Sequence, residues 1–183
     1  MLLAGAFVVS SAGGIAAAAV AGPVSQPAQV GLGTATPFAV LAGSTVTNTG
    51  PSVINGDLGV SPQTAVTGFP PGTVNGTIHA ADAVAGQAQA ALTTAYNDAA
   101  GRAPDVNLTG QDLGGLTEPA GVYKFDSSAG LTGALTLNAQ GNPDSVFIFQ
   151  IGSTLTTASA SSVLLTNGAQ ACHVFWQVGS SAT

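Results

Sequence analysis

The chain has 183 residues, enough for one domain, and only 5% of them are charged, where soluble domains carry roughly 25%. Two cations, Lys124 and Arg102, stand against eight acids, Asp57, Asp82, Asp98, Asp105, Asp112, Glu118, Asp126 and Asp144, for a net charge of −6. That balance excludes a nucleic-acid partner, which needs clustered Lys and Arg to neutralise phosphates, and it disfavours anionic membrane surfaces.

In chain order, Leu2 to Ala21 is a nearly unbroken run of small and apolar residues ending Ala19-Val20-Ala21 before Gly22-Pro23. A small-x-small triplet after an apolar stretch has the form of a signal-peptidase site, so residues 1–21 are expected to be a signal peptide and the protein to be secreted. A membrane anchor is the alternative, since about 20 apolar residues can span a bilayer; the many Ala, Gly and Ser make it a poor one. Residues 22–33, rich in Pro, Gly and Ala, read as a leader, and residues 34–183 as one folded domain. With 45% hydrophobic residues, the domain does not have the composition of a disordered chain.

Ala80 to Ala100 reads as a helix, because Val84, Ala88, Leu92 and Tyr96 recur every four residues with Ala91, Ala95 and Ala99 beside them. Asp82 near its start and Arg102 past its end suit the helix dipole, and Gly101 and Pro104 terminate it. Such a shallow, alanine-rich stripe can lie close against a flat sheet.

Beyond the helix the chain repeats. Phe147-Ile148-Phe149-Gln150-Ile151-Gly152-Ser153 recurs as Val174-Phe175-Trp176-Gln177-Val178-Gly179-Ser180, and Val122-Tyr123-Lys124-Phe125-Asp126-Ser127 fits the same pattern. In each, a long polar residue (Lys124, Gln150, Gln177) stands between apolar ones, the alternation of a half-buried strand. Gly43-Ser44-Thr45-Val46-Thr47 echoes Gly152-Ser153-Thr154-Leu155-Thr156, and each is followed by a further apolar strand and an Asn-Gly turn. A unit of about 25 residues with three short strands is one coil of a triangular β-solenoid. The expected fold is therefore mainly β, a solenoid in two sections with one long helix packed alongside.

The chain resembles the ice-binding protein family found in cold-adapted bacteria, fungi and algae. The resemblance rests on Phe38-Ala39-Val40-Leu41-Ala42-Gly43, Ile54-Asn55-Gly56-Asp57-Leu58-Gly59-Val60-Ser61-Pro62, Ala91-Leu92-Thr93-Thr94-Ala95-Tyr96, Gly121-Val122-Tyr123, Phe147-Ile148-Phe149-Gln150 and the block from Val174 to Thr183. It implies a right-handed solenoid and adsorption to ice through one flat face, inhibiting ice growth and recrystallisation. Family members typically continue past the block ending at Thr183, so the domain is expected to be incomplete at its C-terminus.

Strand alternation selects the residues of that face. With Val46, Leu155 and Ala182 inward, Thr45, Thr47, Thr154, Thr156, Ser181 and Thr183 point outward, and Ser128 aligns with Thr154 in the neighbouring coil. Thr157, Ser159 and Ser161 continue the second row if a bulge or turn shifts the phase. Outward side chains lie about 6.7 Å apart along a strand and about 4.7 Å apart between coils, and threonine is stiff at χ1. The result is a preorganised grid of methyls and hydroxyls on which surface water can order.

No catalytic residue, cofactor or metal is expected. His79 and His173 lie far apart in sequence with no Cys or carboxylate at ligand spacing, and Asp57 reads as a turn carboxylate accepting backbone N–H bonds. Cys172, in the apolar run Ala171 to Trp176, reads as a buried small hydrophobe. The expected partner is an ice surface, met as a monomer, with no nucleic acid and no small-molecule substrate. The rival is a secreted adhesin or matrix module, free or held at the cell surface, that binds carbohydrate. An exposed Trp176 beside other aromatics favours that rival; a Trp176 buried under the solenoid or helix, on the strand side opposite Phe175, favours ice.

Overall fold

The computed structural model describes residues 26–183; the expected signal peptide lies outside them. Seven strands form a first stack: β1 (Phe38–Ala42), β2 (Thr45–Thr47), β3 (Val53–Asn55), β4 (Asp57–Val60), β5 (Ala65–Thr67), β6 (Thr73–Asn75) and β7 (Ile78–Ala80). Helix α1 (Ala83–Gly101) follows. Nine strands form a second stack: β8 (Val106–Asn107), β9 (Thr117–Pro119), β10 (Gly121–Phe125), β11 (Ala129–Leu131), β12 (Ala134–Asn138), β13 (Phe147–Ile151), β14 (Leu155–Thr157), β15 (Ser162–Thr166) and β16 (Val174–Val178).

Every pairing is parallel, and each strand stacks on its counterpart one coil away. A first face is made by β1-β4-β7 and by β16-β13-β10-β8, a second by β2-β5 and β11-β14, and a third by β3-β6 and β15-β12-β9. This is a discontinuous right-handed β-solenoid in two pieces. The coil length differs between them. Gly121 pairs with Phe147 and Phe147 with Val174, steps of 26 and 27 residues, whereas Thr45 pairs with Ala65 and Val53 with Thr73, steps of 20. A uniform unit of about 25 residues therefore fails in the first stack, whose corners are shorter. The distant echo between Gly43–Thr47 and Gly152–Thr156 joins equivalent second-face positions of the two stacks.

The tight corners fix which residues can occupy them. A side chain at Gly152 would place its Cβ 2.7 Å from the Asp126 carbonyl oxygen, and one at Gly179 would meet the Gly152 oxygen at 2.5 Å. Glycine at these two positions lets one coil rest directly on the next, so the strand that follows begins in register.

Inside the second stack, like lies over like. Tyr123, Phe149 and Trp176 form an aromatic column, with ring centroids 5.2 Å apart in the first pair and 4.3 Å in the second and planes tilted by 20° and 13°. Leu135, Leu137, Phe147 and Ile151 are fully buried around it. Phe175 points the other way and packs with Val122, Ile148, Ala95 and Ala99 beneath the helix. Trp176 thus stacks within the solenoid, half-buried because it lies at the end of the column.

The helix starts three residues later than expected, because Ile78 to Ala80 is used as strand β7, paired with β4. Ala81 then turns the chain at φ 53°, and Asp82 caps the helix by accepting from the Ala85 N–H at 2.8 Å. The buried stripe is Ala85, Ala88, Ala95 and Ala99, with Leu92 half-buried, while Val84 and Tyr96 are exposed. The seated face is rotated toward the alanines, whose small side chains let the helix approach the sheet closely.

The helix covers strands of both stacks, touching β7 and β1, then β16 and β13. Strand β13 of the first face is therefore buried on both sides: all five of its residues are buried. Gln150 is not a solvent-facing residue of a half-buried strand. Its amide donates at 2.8 Å to the carbonyls of Ala99 and Arg102, satisfying groups that the end of the helix leaves open. Gln177, one coil on, donates to the Tyr96 hydroxyl at 2.6 Å. Residues 26–33, read from the sequence as a leader, belong to this packing. Val30 is buried against the helix, and the Arg102 guanidinium donates to the carbonyls of Ala28 and Gln29.

Cys172 is exposed, contrary to the reading of its apolar run. The run is broken by a short 3-10 turn over Ala171–His173, and strand β16 begins only at Val174.

Replacing Gln150 with Ala leaves two helix carbonyls unpaired in a buried site. We expect a loss of about 1–3 kcal/mol, the cost of stranding buried polar groups, read as a lower midpoint in thermal unfolding followed by circular dichroism.

Candidate functional site

The second face carries the regular outward grid. On β2, Thr45 and Thr47 are exposed and Val46 turns inward. On β5, Ala65 and Thr67 take the same outward places, and the Thr67 hydroxyl approaches that of Thr47 at 3.5 Å. In the second stack the alternation is anchored by Ala129 and Leu155, both buried. Leu155 also bridges to Ala182 in the following coil.

Two columns follow from that register. Ser128, Thr154 and Ser181 stack in one: the Ala129 N–H donates to the Thr154 carbonyl and the Leu155 N–H to that of Ser181, both at 2.9 Å. Gly130, Thr156 and Thr183 stack in the other, held by Thr157 N–H to Thr183 O at 2.7 Å and Thr183 N–H to Leu155 O at 3.0 Å. Thr156, Ser181 and Thr183 are exposed, and Thr154 is half-buried.

Three expected residues take other positions. Thr157 pairs with the buried Leu131, so no bulge shifts the phase and its side chain has the inward sense. It is exposed only at the open end of the stack, where its hydroxyl donates to the Thr183 carbonyl at 3.0 Å. Ser159 and Ser161 lie in the corner after β14, closed by Ser161 N–H to Ala158 O at 3.1 Å with Ala160 at φ 62°. That corner borders the face without extending its rows.

The structure also brings in residues that the strand pattern missed. Thr67 and Ala65 were hidden by the shorter coil. Aligning Asn55-Gly56 on Asn75-Gly76 would have revealed the 20-residue step and placed Thr67 over Thr47. Asp112 is the other. It bridges to Gly130, and its carboxylate lies over that glycine, where a Cβ would meet the Oδ2 atom at 2.8 Å. The carboxylate accepts from Thr132 N–H at 2.9 Å, Gly114 N–H at 2.7 Å and the Thr132 hydroxyl at 3.0 Å. These donors, the Thr132 N–H foremost, hold its carboxyl below the usual carboxylate range.

The second faces of the two stacks lie on one side of the molecule. From the N- to the C-terminal end of the helix the order is β7, β1, β16, β13. Coils in both stacks thus advance in the same axial direction and wind with the same hand, so the strand after the helix-facing one turns to the same side in each. Among the outward positions of these second-face strands there is no aromatic residue.

The sequence profile of the ice-binding-like family matches residues 40–183. The chain belongs to that family. It is 62% identical over 152 residues to the ice-binding protein of Nostoc sp. strain HG1, a match covering 83% of this chain and 56% of the relative. It is 37% identical over 168 residues to the ice-binding protein of a Colwellia species, covering 83% of this chain and 65% of the relative. The chain thus spans under two thirds of the length of these two relatives. Among solved structures, an ice-binding protein from an Antarctic biological consortium superposes with a TM-score of 0.83 at 49% identity, covering 89% of this chain and 75% of the other. That of the Antarctic ascomycete Antarctomyces psychrotrophicus superposes at 0.81 with 45% identity, covering 85% and 78%.

Asp57 sits in a turn, accepting from the Thr77 N–H at 2.8 Å. His79 lies between two carboxylates that are remote in sequence order from one another, 2.7 Å from Asp82 and 3.9 Å from Asp57. Among the described residues, no group of three or more His, Cys, Asp or Glu is arranged to hold a metal ion.

The Asp112 clasp has a pH signature. A carboxyl held below its ordinary value in the folded state contributes stability above that value and loses it as pH falls through the lowered one. As pH falls below about 4, thermal unfolding should show the parent losing stability more steeply than Asp112→Asn, with the two curves flat relative to each other near neutrality.

Proposed function

We propose that this protein adsorbs to ice through its second face, with Thr45, Thr47 and Thr67 in the first stack and Ser128, Thr154, Thr156, Ser181 and Thr183 in the second. The observation that carries the reading is the in-register stacking of outward hydroxyls on a face without aromatics. Short side chains on strands paired to a neighbouring coil lose little entropy when water orders on them. The threonine methyls keep that water from hydrating the face fully, and the threonine and serine hydroxyls fix its positions. The layer then joins the ice lattice, and the adsorbed protein blocks growth and recrystallisation. The names of the relatives and of the solved neighbours support ice as the partner.

Export as a free or surface-held protein is part of this proposal, supported by the apolar segment of residues 1–21. Carbohydrate adhesion is the weaker reading: Trp176, which could stack on a sugar, is instead stacked on Phe149 inside the solenoid. A catalytic role finds little support in carboxylates that are tied singly into turns, as at Asp57 and Asp112.

Thr156→Tyr, with a bulky ring in the exposed second column, should lower ice recrystallisation inhibition several-fold at equal concentration. Asn97→Tyr, on the exposed side of the helix, should leave it unchanged. Matching circular dichroism spectra confirm an intact fold. Inhibition by the parent that neither substitution alters would place the adsorbing surface elsewhere.

A further inference from the structure

The few charges of this protein are not spread evenly. Asp57, Asp82, Asp98, Arg102, Asp105, Lys124 and Asp126 all lie on the helix, on first-face strands or beside their ends. Most are tied to a neighbour there: Arg102 to Asp98 at 2.7 Å, Lys124 to Asp126 at 2.8 Å, and Asp82 to His79. The second face carries only the clasped Asp112. The third face carries Glu118, which pairs with the inward Leu137 and shares that inward sense; burial raises its carboxyl above the ordinary value. Asp144 is exposed in the corner between β12 and β13. No outward position of a third-face strand is charged.

That third face repeats the features of the second. Leu135 and Leu137 are fully buried, so Thr136 points outward, in register with Thr117 on one side and Leu164 on the other. The neighbouring column is Pro119, Asn138 and Thr166. Its polar groups are held in place: the Asn167 amide donates to the Asn138 side-chain oxygen at 2.9 Å, and the Thr166 hydroxyl to the Leu137 carbonyl at 3.2 Å. The first stack shows the same device, Asn75 donating to Asn55 at 2.8 Å. Beside these ladders, apolar side chains stand in water: Val53 is 60% exposed and Leu164 48%. Apolar groups interleaved with fixed hydrogen-bonding groups, on a flat and uncharged sheet, order surface water as the second face does. The two faces also meet at a shared corner, through Thr132 and Gly133 in one coil and Ala158 to Ser161 in the next.

We infer that the third face is a second ice-contacting surface, continuous with the first around that corner, so that the molecule engages ice along an edge formed by two faces. The inference rests on the ice-adsorption reading above. Seven of the ten charged residues lie on the helix side, and charge is sparse on the other two faces because a charged side chain binds its own hydration water too firmly to share it with a lattice.

The test is partition into slowly growing ice, measured as the fraction of protein incorporated, for the parent, Thr136→Glu, Val53→Glu and Thr156→Tyr. Circular dichroism establishes that each is folded. The two third-face variants lie in different stacks, so a folding failure in one leaves the other to decide. A several-fold fall in incorporation for a folded third-face variant supports the inference. Incorporation at the parent's level in Thr136→Glu and Val53→Glu, beside a fall in Thr156→Tyr, overturns it while leaving the second face as the ice surface. A parent that ice excludes overturns both readings together.

Discussion

Everything in this molecule depends on the backbone ladder between successive coils. Parallel strands stacked about 4.7 Å apart cannot shift by one residue without turning every side chain to the other face. The ladder therefore forces like over like. Inside, it makes the column Tyr123, Phe149, Trp176. Outside, it makes rows of hydroxyls. At the corners it leaves no room for a side chain, which is why glycine stands at 152 and 179. Core, corner and surface are three consequences of one register.

The ladder alone does not make a stable object, because its first face is apolar on both sides. The helix resolves this. Its alanine stripe lies over Ile148 and Val122, Gln150 closes the end of the helix from below, and Arg102 ties down the strand of residues that runs in from the N-terminal side. With the helix gone, the fully buried strand β13 would be open on one side. Seven of the ten charged residues lie on this side as well.

Much of this was legible in the sequence, and what was not has physical causes. The repeat of Phe147–Ser153 and Val174–Ser180 revealed the solenoid because strands that stack must share an alternation. The outward sense of Thr45, Thr47, Thr154 and Thr156 followed from the same alternation. The 20-residue coil of the first stack escaped notice because its second- and third-face strands are three residues long, each with a single inward valine or isoleucine. Gln150 looked like a solvent-facing residue because period two cannot distinguish water from a helix end as the polar neighbour. Cys172 looked buried because hydrophobicity does not reveal that a turn interrupts the run. Ser159 and Ser161 were placed in the row on condition that a bulge or turn shifts the phase, whereas the strand keeps its register and ends at Thr157.

The helix has one more effect. Among the described residues no backbone hydrogen bond joins the two stacks; both are instead fastened to the same 19-residue rod, about 28 Å long. The distance between the hydroxyl patch of Thr45, Thr47 and Thr67 and that of Thr154, Thr156, Ser181 and Thr183 is thus gauged by helical rise. A hydroxylated surface built in two pieces keeps its spacing because a third element, which touches neither patch, serves as the ruler.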